Sequence, residues 1–108
     1  MSSREYLGEF EQIVLLALLR LGKTAYGVPV RREIEQRTQR SVSVGALYST
    51  LDRLETKGYV ASWFANPTAE RGGRAKRFFR VEPLGLKAVR RSQKAMATML
   101  EGLDLQKV

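Results

Sequence analysis

Residues 70–79, ERGGRAKRFF, set two adjacent glycines among Arg71, Arg74, Lys76 and Arg77 and end in two phenylalanines. Two chemistries use such a stretch. A phosphate-cradling nucleotide loop needs Gly-x-x-x-x-Gly-Lys-Ser/Thr between a strand and a helix N-terminus. Here Gly72 and Gly73 are adjacent, Ala75 separates Arg74 from Lys76, and strand-like residues follow, so spacing and context both fail. The other use is a β-hairpin tip, where glycine permits positive φ and close backbone approach while the cations hold a polyanion. Strand alternation over 76–80 puts Lys76, Phe78 and Arg80 on one face and Arg77 and Phe79 on the other. Charge runs are commonly solvated surface, but Glu70 is the only acid in the stretch, and a merely solubilising loop mixes its signs.

Catalytic chemistry finds little support. The chain has no cysteine and no histidine, which removes disulfides, thiolate and imidazole metal ligands and the usual nucleophile–base pairs. The eleven Asp and Glu are scattered without paired or clustered spacing, so no catalytic residue, metal or cofactor is expected. A net charge of +8 instead directs the chain toward phosphate, an acidic protein or an anionic surface. The longest apolar run, Ile13 to Leu19, is far too short for a bilayer span and lacks a signal-peptide context, which implies no membrane partner and a cytoplasmic protein.

The elements that must position the cations follow from periodicity. At 108 residues the chain is one compact unit. GEFEQIVLLALLRL, residues 8–21, predicts a helix ended by Gly22, apolar almost all round and so needing cover on more than one side. Residues 25–40 predict a second helix, with Pro29 in its first turn, Tyr26, Val30 and Ile34 on one face and Arg31, Arg32, Glu35 and Arg37 on the other. A third runs from the N-cap Ser43 to the stop at Gly58, with Val44, Leu47, Leu51 and Leu54 as its inward stripe. Residues 59–65 and 76–82 predict the strands of a hairpin, with turn residues Asn66-Pro67-Thr68 and Gly72-Gly73 between them. A short third strand near Thr24 would support the hairpin. The last helix is expected from Pro83 to about Leu103, with Val89, Ser92, Met96, Met99 and Leu103 in a coiled-coil-like seam.

Helix, helix, helix, hairpin, helix is a winged helix-turn-helix: mainly α with a β-hairpin wing, followed by a C-terminal dimerisation helix. Residues 1–82 form the DNA-binding part and 83–108 the dimerisation helix. The third helix is the base-reading candidate, through Ser43, Gly45, Ser49, Thr50 and Arg53: small residues let a helix sink into a groove, and hydroxyls and arginine bond phosphates or base edges. Tyr48 is open between a core ring and a phosphate-bonding hydroxyl. Arg71, Arg74, Lys76 and Arg77 of the wing are the phosphate candidates, with Arg31 and Arg32 behind them. The first and last helices each have apolar surface to spare, which a homodimer would cover, and two-fold proteins match palindromic operators.

FEQIVLLALLRLGKTAYGVPVRREIE, SVSVGALYSTLDRLETKGYV and ERGGRAKRFFRVEPLGLKAV resemble, in order, the helical start, recognition helix and wing of the PadR family of bacterial transcriptional regulators. The resemblance spans nearly the whole chain and rests most on GALYSTLDRLETKGYV with RGGRAKRFF. It implies a homodimeric winged-helix regulator of double-stranded DNA, typically a repressor, dimerised through C-terminal helices. Many members lose DNA affinity when a small molecule binds, and a single C-terminal helix matches the short branch of the family. Glu82 stands before Pro83 where the family often has threonine, which weakens the N-cap of the last helix. Two alternatives are an interaction module for an acidic protein and a non-specific nucleic-acid compactor.

Overall fold

The computed structural model describes residues 6–65 and 75–107. α1 (Glu9–Leu21) forms the centre, because Val14, Leu15, Ala17 and Leu18 bury on three sides against the other elements. Its fourth side stays open: Leu16 and Leu19 are 39% and 44% exposed. A short 3₁₀ turn (Gly22–Thr24) leads to α2 (Gly27–Thr38), whose Val30 and Ile34 are fully packed. Pro29 sits in the first turn of α2 as expected, where no backbone donor is lost.

α3 (Val44–Thr56) begins at Ser43, whose Oγ accepts the Ala46 amide at 3.0 Å, and gives way to Gly58. Its buried stripe is Leu47, Thr50, Leu51 and Leu54. Two expectations are corrected here. Val44 is 52% exposed at the groove it shares with the start of α2, and Thr50 is 3% exposed because it falls between Leu47 and Leu54 on the helical period.

β1 (Val60–Phe64) and β2 (Arg77–Val81) pair antiparallel, with Ser62 opposite Phe79 and Phe64 opposite Arg77. The expected third strand reduces to one bridge between Tyr26 and Phe78, together with a bond from the Phe79 amide to the Ala25 carbonyl at 2.9 Å. The hairpin turn, with Arg71, Gly72, Gly73 and Arg74, lies outside the described residues.

α4 (Pro83–Leu100) packs on α1 and β2. Glu82 caps it without a side-chain bond, its carboxylate being drawn to Arg80 at 2.9 Å. Gly85 is required by close approach: a β-carbon there would overlap the Tyr59 backbone carbonyl. Gly85, Ala88, Val89 and Ser92 form the covered stripe. Val89 and Ser92, expected in a seam between copies, are thus buried by their own chain. Met96 and Met99 continue the same stripe but are 57% and 75% exposed. The helix stops at Leu100, so Leu103 lies past its end, also exposed.

Candidate nucleic-acid interface

The start of α3 is fixed from α2. Arg31 Nε donates to the Val42 carbonyl at 2.6 Å, Glu35 Oε2 accepts the Val42 amide at 2.8 Å, and the Val42 side chain is buried. Both backbone groups of the residue before the N-cap are therefore held, so Ser43 and the first turn of α3 have a defined position. Arg31, a secondary phosphate candidate, is committed to this clamp and to Glu35, whereas Arg32 is exposed and has no ion pair among the described residues.

The other end of α3 is tied to α1. Glu11 Oε1 accepts the Gly8 amide at 2.9 Å, and Oε2 meets Lys57 Nζ at 3.1 Å and Arg53 Nε at 3.5 Å. Burial opposes the Glu11 carboxylate, but the Gly8 amide and the Lys57 and Arg53 cations outweigh it and hold the carboxyl below its ordinary value. Arg53, expected to read bases, is turned to the α1 flank, and its Nη2 also reaches Thr50 Oγ1 at 3.3 Å. Thr50, buried beneath it, presents no atom to a groove. The outward face of α3 is instead Gly45, Ser49, Asp52 and Thr56, all exposed.

The wing is bolted to the third side of α3. Arg77 meets Glu55 at 2.6 Å and Asp52 at 3.2 Å, and its Nε donates to Ser62 Oγ at 3.2 Å. Ser62 Oγ in turn donates to Glu55 Oε2 at 2.7 Å. The Ser62 hydroxyl, with Arg77, more than offsets desolvation and lowers the Glu55 pKa. Arg77, expected as a phosphate clamp, is therefore the joint between wing and α3. Its neighbour Lys76 faces the other way, over the Tyr26 ring at 4.6 Å. The predicted alternation holds: Phe79 enters the core, while Phe78 lies between Tyr26 (5.3 Å) and Trp63 (6.0 Å), with Arg80 over Trp63.

These constraints bring several groups to one place. The N-terminal turns of α2 and α3 border a groove of 370 Å³ lined by Gly27, Val28, Arg31, Arg32, Glu35, Val44, Leu47 and Tyr48, in which the Glu35 carboxylate is taken up by Arg31 and the Val42 amide. Gly27, Tyr48 and Lys76 also line the adjoining hollow at the base of the wing. Tyr48 is half-buried: its ring packs 6.3 Å from Phe79, and its hydroxyl lies against Gly27, where any β-carbon would overlap it. Helix N-termini present unpaired N–H groups and positive potential, and a phenol hydroxyl and an ammonium add donors, so the chemistry of this place is anion binding.

The family model for the transcriptional regulator PadR-like family matches residues 15–91, which include α2, α3, the hairpin and half of α4. The chain belongs to the PadR-like family. Members of this PadR-like family are transcriptional regulators, not enzymes. A transcriptional regulator from Clostridium thermocellum superposes with a TM-score of 0.70 at 24% identity, over 84% of this chain and 85% of that one. A PadR family regulator from Clostridium difficile gives 0.64 at 20% identity, over 83% and 90%. A winged-helix DNA-binding protein from STIV gives 0.71 at 19% identity, over 93% and 100%. At these identities the likeness establishes the winged-helix fold. No curated protein sequence matches the chain.

Within this PadR-like fold, Tyr48 and Lys76 line the groove and its adjoining hollow, Ser43, Gly45 and Ser49 are exposed on α3, and Thr50, Arg53 and Arg77 serve the frame. Arg71 and Arg74 lie outside the described residues. Sequence reasoning missed Glu11, Asp52 and Glu55 as frame residues, and Gly27 as the seat of Tyr48. Among the described residues no acidic group is clustered to hold a metal, and no helix is long and apolar enough to cross a membrane.

Proposed function

We propose that the protein is a homodimeric, sequence-specific DNA-binding repressor acting in the cytoplasm on a palindromic operator. The observation that carries the DNA reading is the convergence of the α2 and α3 N-termini, the Tyr48 hydroxyl and Lys76 beside the small, open face of α3. Gly45 and Ser49, with Ser43 at the end of the helix, are the base-reading residues. Lys76, Tyr48 and Arg32, with Arg71 and Arg74 of the wing, hold phosphates. Residues 1–82 act as the DNA-binding part and 83–108 as the dimerisation helix. The homodimer is supported by the α4 stripe, which runs uncovered past Ser92 through Met96 and Met99, and by the open Leu16 and Leu19 on α1. Release of DNA by a small molecule belongs to this reading, with no site assigned to it.

Titration of duplex DNA at several salt concentrations tests it. Lys76→Ala is expected to weaken binding to all sequences and to lower the log–log salt slope by about one unit for each phosphate that the variant leaves unneutralised. Ser49→Ala is expected to change preference at one base-pair position by roughly 1–3 kcal/mol. An unchanged slope and an unchanged preference profile would reject the interface. Salt-resistant, sequence-independent association with an acidic protein would favour an interaction module instead.

A further inference from the structure

Charge is distributed on this chain in two different ways. On α1, α2, α3 and the hairpin base, acids interleave with cations. Glu33 holds Arg20 and Arg37, Glu9 holds Arg40, Glu11 holds Arg53 and Lys57, and Asp52 and Glu55 hold Arg77. α4 has no acids of its own to interleave. From Pro83 to Leu100 it contains no Asp or Glu, and it carries Lys87, Arg90, Arg91 and Lys94. Their spacing of i, i+3, i+4 and i+7 sets them on one face, opposite the buried Gly85, Ala88, Val89 and Ser92, and all four are exposed. No ion pair among the described residues involves Lys87, Arg90 or Lys94; Arg91 shares the face and makes contacts of its own.

Like charges at these spacings oppose helix formation by a few tenths of a kcal/mol per pair, and a merely solvated face mixes signs as the other helices do. The stripe is also rigid: it spans about 10 Å of a helix anchored at Gly85 and Val89. None of the groove residues lies on α4, which packs on α1 and β2, so this cationic face is separate from the α2–α3–wing groove.

We propose that the outward face of α4 is a second, sequence-independent phosphate-binding surface that takes duplex DNA outside the operator. The inference rests on the DNA-binding reading and extends it. Duplex DNA, with about one negative charge per 1.7 Å of axis, matches a straight row of cations. A membrane surface fits less well, because a helix lying on lipid needs its apolar face beside the headgroups. Here that face is on the opposite side, and its first half is buried in the protein core.

The test uses the full chain and the triple variant Lys87→Gln, Arg90→Gln, Lys94→Gln, which leaves Arg91 and the covered stripe in place. Two probes share one selected operator: a duplex trimmed to the operator, and the same operator within long random flanks. A third arm adds a separate random duplex to the immobilised operator complex, which distinguishes flanking DNA from a second molecule. Wild-type protein is expected to prefer the flanked duplex, or to capture the second duplex, on the order of tenfold over the variant, with a salt slope steeper by about 0.9 for each further phosphate neutralised. The variant should bind the trimmed operator as the wild type does. Equal flanked and second-duplex binding by the two proteins would overturn the inference, as would an equal loss on trimmed and flanked duplexes. Binding to phosphatidylserine vesicles that the variant loses, with all DNA binding intact, would also overturn it and assign the face to a membrane. Failure of the wild type on every duplex would instead overturn the DNA-binding reading, and this inference with it.

Discussion

α3 and α4 carry the same kind of apolar stripe and end differently. On α3, Leu47, Thr50, Leu51 and Leu54 are covered without a break. Val42 is clamped ahead of it, Glu11 grips its C-terminal end, and Arg77 joins its flank to the wing. On α4 the cover stops at Ser92, while the stripe continues through Met96 and Met99. A helix held at both ends and on its flank can present side chains at fixed positions, which direct readout of a base edge requires. A helix whose stripe outruns its own domain is stable there only when something else covers it. This difference is the ground for proposing recognition by α3 and assembly by α4.

The strongest way to break this comparison is at the end of α4. Met96→Glu with Met99→Glu is expected to remove about 3–6 kcal/mol of dimer association, since both copies lose apolar burial and gain charge at the seam. Sedimentation should then show a monomer that keeps its helix content. An unchanged dimer would place the interface elsewhere.

The next effect falls on the joint between α3 and the wing. Arg77→Ala strips a half-buried Glu55 of its cation and should lower stability by about 1–2 kcal/mol in denaturant unfolding. Arg40→Ala, which breaks the exposed pair with Glu9, should cost 0 to about 1 kcal/mol. Equal losses from the two variants would show that the Arg77 network is ordinary surface charge. The smallest effect is hidden at neutral pH. Glu11 and Glu55 have folded pKa values below the ordinary 4.5, so the unfolded chain binds more protons in that window. Their contribution is complete above about 4.5 and is lost as pH falls through the lower folded values. Glu11→Gln should therefore flatten the acid side of the stability profile, and a profile parallel to the wild type would contradict the Glu11 tie.

Local signals made most of the fold legible in the sequence. Apolar spacing, Ser43, Pro29 and the aromatic run 76–82 specify the element order and the α3 start through contacts a few residues apart. The alternation of Lys76, Arg77, Phe78 and Phe79 also reads correctly, because a strand has only two faces. The burial of Thr50 is legible too, since it sits three residues after Leu47 and four before Leu54, although a hydroxyl by itself suggests a surface position. The partners of Arg77 and Arg53 were not legible. Glu55 is 22 residues from Arg77, so a cation without an acid nearby in sequence can still be paired in space, and Lys57 passes over the local acids to meet Glu11, 46 residues away. Where the seam on α4 passes from its own domain to open surface was equally hidden, because periodicity reports that a face is apolar and not what covers it.

In the proposed complex α3 reads sequence while the wing base and helix N-termini hold the backbone, in two copies related by symmetry. Selection of bound duplexes from a random pool tests it most directly. The expected result is enrichment of a palindrome whose half-sites are about one helical turn apart, ~34–36 Å, with Ser49→Ala altering one position in each half-site. Recovery of duplexes with no common sequence, or of a single site without two-fold symmetry, would contradict it.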